Sequence, residues 1–176
     1  MDKAQSEHLA RVHHLRESFA EANERLVARL RRVSDEAAER EVDGAWSAAQ
    51  IGWHVAAVTT RFAAPIGGDV VGPQPLPVGF RERPWAEVAS AVSGRLKASA
   101  AVTPPPGARR VEAVAALEAS GTRMARALDT LTPERGGRMG VTHPIVGTIS
   151  VYQIAEWATA HVVRHNRQAK RALGEG

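Results

Sequence analysis

The chain has 176 residues and a formal net charge of +4, with 44% hydrophobic residues of which few are aromatic (5%). That length carries one domain with a substantial core, expected to span residues 1–176, and its alanine-rich, aromatic-poor composition favours packed helices over a sheet. Cysteine is absent, which excludes disulfides, thiolate metal ligands and a cysteine nucleophile, so any metal must be held by nitrogen and oxygen.

The opening stretch, MDKAQSEHLARVHHLRES, is charged from its second residue and has no apolar centre. No signal peptide is expected there, and no run of about 18 apolar residues marks a membrane span. A cytoplasmic protein without membrane contact is the expectation. Residues 5 to 35 read as one long helix, with Leu9, Val12, Leu15, Phe19, Leu26, Leu30 and Val33 recurring at three- and four-residue steps. Residues 36 to 45 form a polar connection that ends in the turn signal Asp43-Gly44.

The second helix opens at Ser47, with Gln50 three residues later completing a capping box. His54 follows Ile51 by three and precedes Val58 by four, so it shares their inward face. The helix should fray near Ala64-Pro65, since the residue before proline avoids helical geometry. Residues 65 to 107 hold eight of the ten prolines and one short helix, expected from Trp85 to Ala98. So long a crossover covers a site or is partly disordered, and a partial lid is the preferred reading. A third long helix is expected over 108–131, on Val111, Val114, Leu117, Met124, Leu128 and Leu131, with Thr132-Pro133 and Gly136-Gly137 ending it. MGVTHPIVGTIS then reads as an extended connection. Ser150 and Gln153 form a second capping box, opening a last helix that reaches Leu173. Ile154, Trp157, Ala158, His161, His165, Ala169 and Ala172 lie along one of its faces. Together these elements describe an all-α four-helix bundle with a long proline-rich crossover between helices 2 and 3.

Three histidines thus fall on apolar helix faces. His161 and His165 are one turn apart, about 5–6 Å between side chains, and can turn toward one ion at about 2.0–2.1 Å. With seven histidines in the chain such a pair is weak evidence alone, and so is His54; it is the shared inward direction of all three that suggests a divalent-metal site. HVVRH is not a zincin motif, because Val162 stands where the general-base glutamate belongs, and Arg164 before His165 rules out the inverted form.

WSAAQIGWHVA, the HPIVG connection and the closing S-x-x-Q-I…H-x-x-x-H-x-x-Q run resemble the DinB-like superfamily. That superfamily includes YfiT-type proteins and bacillithiol- or mycothiol-dependent enzymes. The resemblance implies a four-helix metalloprotein in which the positions of His54, His161 and His165 bind a divalent transition metal. Two positions depart from the family pattern: Gln153 and Val162 stand where many members carry acidic residues. The DinB name does not imply DNA chemistry.

Three imidazoles leave a coordination position open, as in catalytic rather than structural sites. Zinc is the preferred ion, with nickel, iron and manganese also compatible with imidazole. It would activate a water for hydrolysis or a thiol for attack on a small electrophile; the resemblance implies the second, with a low-molecular-weight thiol as cosubstrate. Trp157 should wall the pocket, Gln50 caps its helix or bonds a ligand, and Gln168 is a partner for His165. Arg164 is read as solvent-facing, and His143 as a residue of the connection rather than a fourth ligand. The rival reading is a non-catalytic metal- or small-ligand-binding protein. A homodimer through the first helix is compatible with either. Nucleic acid is not an expected partner: although the pI is near 10.3, no aromatic platform accompanies the basic stretch 164–171.

Overall fold

The computed structural model describes residues 2–91 and 98–175. Its helices are α1 (Lys3–Arg31), α2 (Asp35–Glu39), α3 (Ala48–Gly67), α4 (Trp85–Ala91), α5 (Arg110–Asp129), α6 (Pro133–Arg138) and α7 (Val151–Ala172), with a 3₁₀ turn at Ala100–Val102. Strands β1 (Gln74–Pro75), β2 (Met139–His143) and β3 (Gly147–Ser150) form a small antiparallel sheet in that order. The protein is mostly helical, as its composition suggests.

The four long helices pack in a ring, α1 on α5, α5 on α3, α3 on α7 and α7 on α1. Side-chain partners fix their directions. Gly52 of α3 approaches Ala113 and Leu117 of α5, and Gly67 approaches Ala127, so α3 and α5 run parallel. His8 meets Tyr152 and Arg29 meets Asn166, so α1 and α7 run parallel as well. Phe62 meets Trp157 while His54 meets His165, which makes α3 antiparallel to α7. Parallel neighbours cannot be joined by a tight turn. The long crossover after α3 is therefore a topological requirement, since it must return the chain to the starting end before α5 begins.

Both capping boxes form: Ser47 with Gln50, and Ser150 with Gln153. Elsewhere the elements depart from expectation for local reasons. The first helix stops at Arg31 because the Ser34 side chain accepts from Ala37 N–H and starts α2, which occupies part of the expected connection. The buried face of α1 begins at His8, 8% exposed, whereas Leu9 is 48% exposed. Helix α3 passes through Pro65 and ends at Gly68, whose left-handed backbone (φ 86°) allows its N–H to reach Ala64 O. Fully burying Ala63 and Ile66 offsets the helix bond that the proline removes. In the crossover helix, order begins at Trp85 as expected; residues 92–97 lie outside the described residues, and Ala98 is not helical. In α5 the expected core residue Val111 is 64% exposed.

The segment after α5 is more ordered than expected. Thr132 caps α6, with Pro133 in the first turn, where a missing N–H is harmless. The expected extended connection is the β2–β3 hairpin, with Val141 paired to Ile149 and His143 to Gly147. The crossover adds β1 to its edge through Gln74 and Pro75, and Leu76 N–H donates to Arg138 O at 2.9 Å.

Helix α6 packs against the Tyr152 ring, which is held on two sides. His8 Nδ1 lies 2.5 Å from its hydroxyl, and the Arg11 guanidinium sits 4.2 Å over its face while pairing with Glu82 and Glu156. A Cβ at Gly136 would fall well inside contact with that ring, whereas one at Gly137 would meet it at 3.6 Å. Gly136→Ala should therefore cost about 1–3 kcal/mol through overpacking, and Gly137→Ala should be neutral or stabilising. Denaturant unfolding of the two variants checks this; equal stabilities would show that the ring is free to move.

Candidate metal centre

His54 is placed by the first two turns of α3, whose start is defined by the Ser47–Gln50 box. The antiparallel packing of α3 on α7 sets it opposite His161 and His165. The ring centroids of His54 lie 5.2 Å from those of His161 and 4.8 Å from those of His165, and the two α7 rings are 4.3 Å apart. One ligand atom from each of the three falls within 4.8 Å of the others. A tetrahedral ion bound at ordinary zinc–nitrogen distances would hold such atoms about 3.4 Å apart. The widest pair would thus close by at most about 1.4 Å, within reach of side-chain rotation.

Hydrogen bonds choose the ring tautomers. The Nδ1 of His54 lies 2.7 Å from Val102 O, an acceptor only, so Nδ1 carries the proton and Nε2 its lone pair. The Nδ1 of His165 bonds Gln168 Oε1 at 2.8 Å, with the same consequence. Nδ1 of His161 is buried and has no hydrogen-bond partner. An unsatisfied buried nitrogen of that kind costs about 1–3 kcal/mol unless a ligand reaches it.

Burial is the main influence on the charge of these rings, and it opposes protonation. His161 is held well below the ordinary histidine value, first by burial and then by the like charge that His165, His54 and Arg164 would present. His165 is lowered to about 4 by burial and by His54, and His54 is lowered by burial against the weaker opposing effect of Val102 O. At neutral pH all three are uncharged, the form a metal requires. The donor set, three neutral imidazoles, suits zinc, nickel, iron or manganese.

Aromatic rings flank the cluster. Trp46 packs against His54 at 5.0 Å, and Phe62 lies 6.2 Å from His161 and 5.6 Å from Trp157. Trp157, one turn before His161, meets Phe62, whose ring in turn faces His161. His143 is not in the three-residue group; its Nδ1 accepts from Ile145 N–H at 3.2 Å and its ring meets Trp157 edge-on at 5.1 Å. Gln168 is the partner expected for His165. Gln50 caps its helix, and its Nε2 donates to Glu41 Oε1 at 2.6 Å. Arg164 is exposed, yet its charge still acts on both α7 histidines. Gln153 serves its own helix cap and donates to Arg83 O at 2.9 Å.

Sequence reasoning missed Phe62, Trp46 and the Val102 carbonyl. Phe62 had a usable signal, since it lies eight residues, two turns, after His54 on the same face. Val102 had none: a backbone carbonyl in a proline-rich crossover carries no residue-type mark. A groove of about 840 Å³ between α3 and α5 is lined by residues such as Trp53, Ala56, Ala116 and Arg123 and by none of the three histidines. Among the described residues no helix is long and apolar enough to cross a membrane.

No curated protein matches the chain. The family model described as the DinB superfamily matches residues 18–169, a span that contains α3, the crossover, the hairpin and all three histidines. The chain belongs to the DinB superfamily, whose members bind metals.

Proposed function

We propose that the protein is a divalent-metal enzyme in which His54, His161 and His165 hold the ion and leave a position open to a small molecule. One observation carries this reading: three desolvated, uncharged imidazoles converge within 4.8 Å, and one of them keeps an unpartnered buried nitrogen. Neutral rings crowded together gain little from one another, so the arrangement makes most sense as a donor set. Zinc is the preferred ion; when bound it would act as a Lewis acid, easing loss of a proton from a water or a thiol that reaches it. The chain's own residues bind and orient. Val102 O and Gln168 fix two ring tautomers, Trp46, Phe62 and Trp157 exclude water from the flanks, and α3 and α7 supply a rigid frame. Two reactions fit that arrangement: transfer of a low-molecular-weight thiol to a small electrophile, and hydrolysis. Thiol transfer is preferred, since a desolvated, aromatic-walled site favours a soft, weakly hydrated nucleophile.

A second reading has its own support. The groove between α3 and α5 does not reach the histidines, which supports a non-catalytic metal-binding protein over one with a roomy substrate cleft. Turnover of a model electrophile with candidate thiols separates the two.

Zinc titration tests the shared premise. The wild-type protein should bind one equivalent, and the His161→Ala/His165→Ala variant should lose at least about 100-fold in affinity. Equal metal content in the two proteins ends the proposal.

The lowered histidine pKa values also dictate how stability varies with pH. In the unfolded chain these rings protonate near 6.5, but in the folded protein only lower, His165 at about 4. As pH falls through that window the unfolded state takes up protons first, so stability present above pH 6.5 is progressively lost toward pH 4. Metal-free protein should lose on the order of 1–3 kcal/mol across it, and saturating zinc should offset the loss at its upper end. Thermal melts at successive pH values, with and without zinc, measure both effects; a flat metal-free profile would mean that the rings are not desolvated.

A further inference from the structure

Gln50 does more than a helix cap needs. Its Oε1 accepts from Ser47 N–H at 2.8 Å and Ser47 Oγ accepts from Gln50 N–H at 3.2 Å, which completes the capping box. A glutamate at this position would cap equally well. The amide nitrogen is therefore surplus to capping, and it is committed elsewhere: Nε2 donates to Glu41 Oε1 at 2.6 Å and to Pro105 O at 3.4 Å. Gln50 is 5% exposed and lies one turn before His54.

Pro105 is three residues after Val102, whose carbonyl receives the Nδ1 proton of His54 at 2.7 Å. The chain between them is stiff. Val102 N–H and Thr103 N–H donate to Ser99 O at 3.0 and 3.1 Å, and the Thr103 hydroxyl donates to the same oxygen at 3.0 Å. Pro104, Pro105 and Pro106 then restrict the backbone that follows. Holding the Pro105 carbonyl holds the Val102 carbonyl with it.

We infer that Gln50 is a positioning residue for the metal centre: it ties the crossover to the start of α3, so that Val102 O keeps His54 in the tautomer that bares Nε2. The inference deepens the metal reading and rests on it for its purpose, but the hydrogen-bond chain itself exists without metal. The Glu41 carboxylate anchors the amide with a charge-assisted bond, leaving its second N–H for the weaker contact to Pro105. The crossover thus serves His54 through its backbone, and Gln50 is the side chain that sets where that backbone sits.

Gln50→Glu tests this at pH 8. The variant keeps the capping box but turns the donor into a carboxylate facing Glu41 and the Pro105 carbonyl, which repels both. Long-range ¹H–¹⁵N spectra of the zinc-free protein report the His54 tautomer directly. The expected result is a folded variant in which His54 loses its single Nδ1-protonated signature and zinc affinity falls about 10-fold or more. An unchanged tautomer together with unchanged zinc affinity in the folded variant overturns the inference. Should Gln50→Glu not fold, Glu41→Ala carries the test, because Glu41 is exposed and outside the capping box; it should shift the tautomer in the same direction, and no shift overturns the inference. Wild-type protein that takes up no zinc sinks the metal reading alone, since the tautomer is read on metal-free protein.

Discussion

Antiparallel packing of α3 on α7 is the constraint from which the site follows. His54 lies near the start of one helix, and His161 and His165 lie at the middle and in the second half of the other; only opposed directions bring them level. Imidazole is also the side chain best suited to such a place, because it can be buried uncharged and still present a lone pair. A lysine or carboxylate in the same position would carry a far larger desolvation cost in its charged form. The low pKa values of the cluster are the electrostatic trace of that burial.

The crossover follows from the same geometry. Because α3 and α5 run parallel, the chain after Gly68 has to travel the length of the helices before α5 can begin, and it cannot do so through a tight turn. That path crosses the hairpin edge at β1, meets Arg11 through Glu82, and reaches the start of α3 at Val102. A segment demanded by topology thereby gains contacts at both ends of the ring. Its prolines make sense in this light: a connection with few helices of its own orders at lower entropic cost when the unfolded chain is already restricted.

How much of this was legible in the sequence depended on whether a residue type marked the interaction. The capping boxes at Ser47 and Ser150 were legible because their chemistry is local, and they placed both histidine-bearing helices to within a residue or two. The three histidines were legible because an imidazole on an apolar face breaks a local rule, and such breaks concentrate at functional sites. Position 8 was misread: the helical stripe pointed to Leu9, yet His8 faces inward to meet Tyr152, a partner 144 residues away that no local pattern reveals. Pro65 was misread for a similar reason, since burial of Ile66 overrode a local preference. The hairpin was missed because its strands are short and its turn, Pro144 to Val146, lacks the usual Asn-Gly or Asp-Gly signature.

The donor set also bears on what could bind beside an ion. The three-residue group contains no aspartate or glutamate, and the neighbouring charge that acts on it comes from Arg164, which is positive. Three neutral ligands would leave a divalent ion with its full double charge inside a desolvated, aromatic-walled space, where electrostatic attraction is strong. A site of that kind favours an anion or an easily deprotonated group in its remaining position, because such a partner compensates the charge. A neutral ligand that keeps its proton would leave the charge exposed to a low dielectric. With an ion bound, that preference would favour a thiol or a water able to lose its proton.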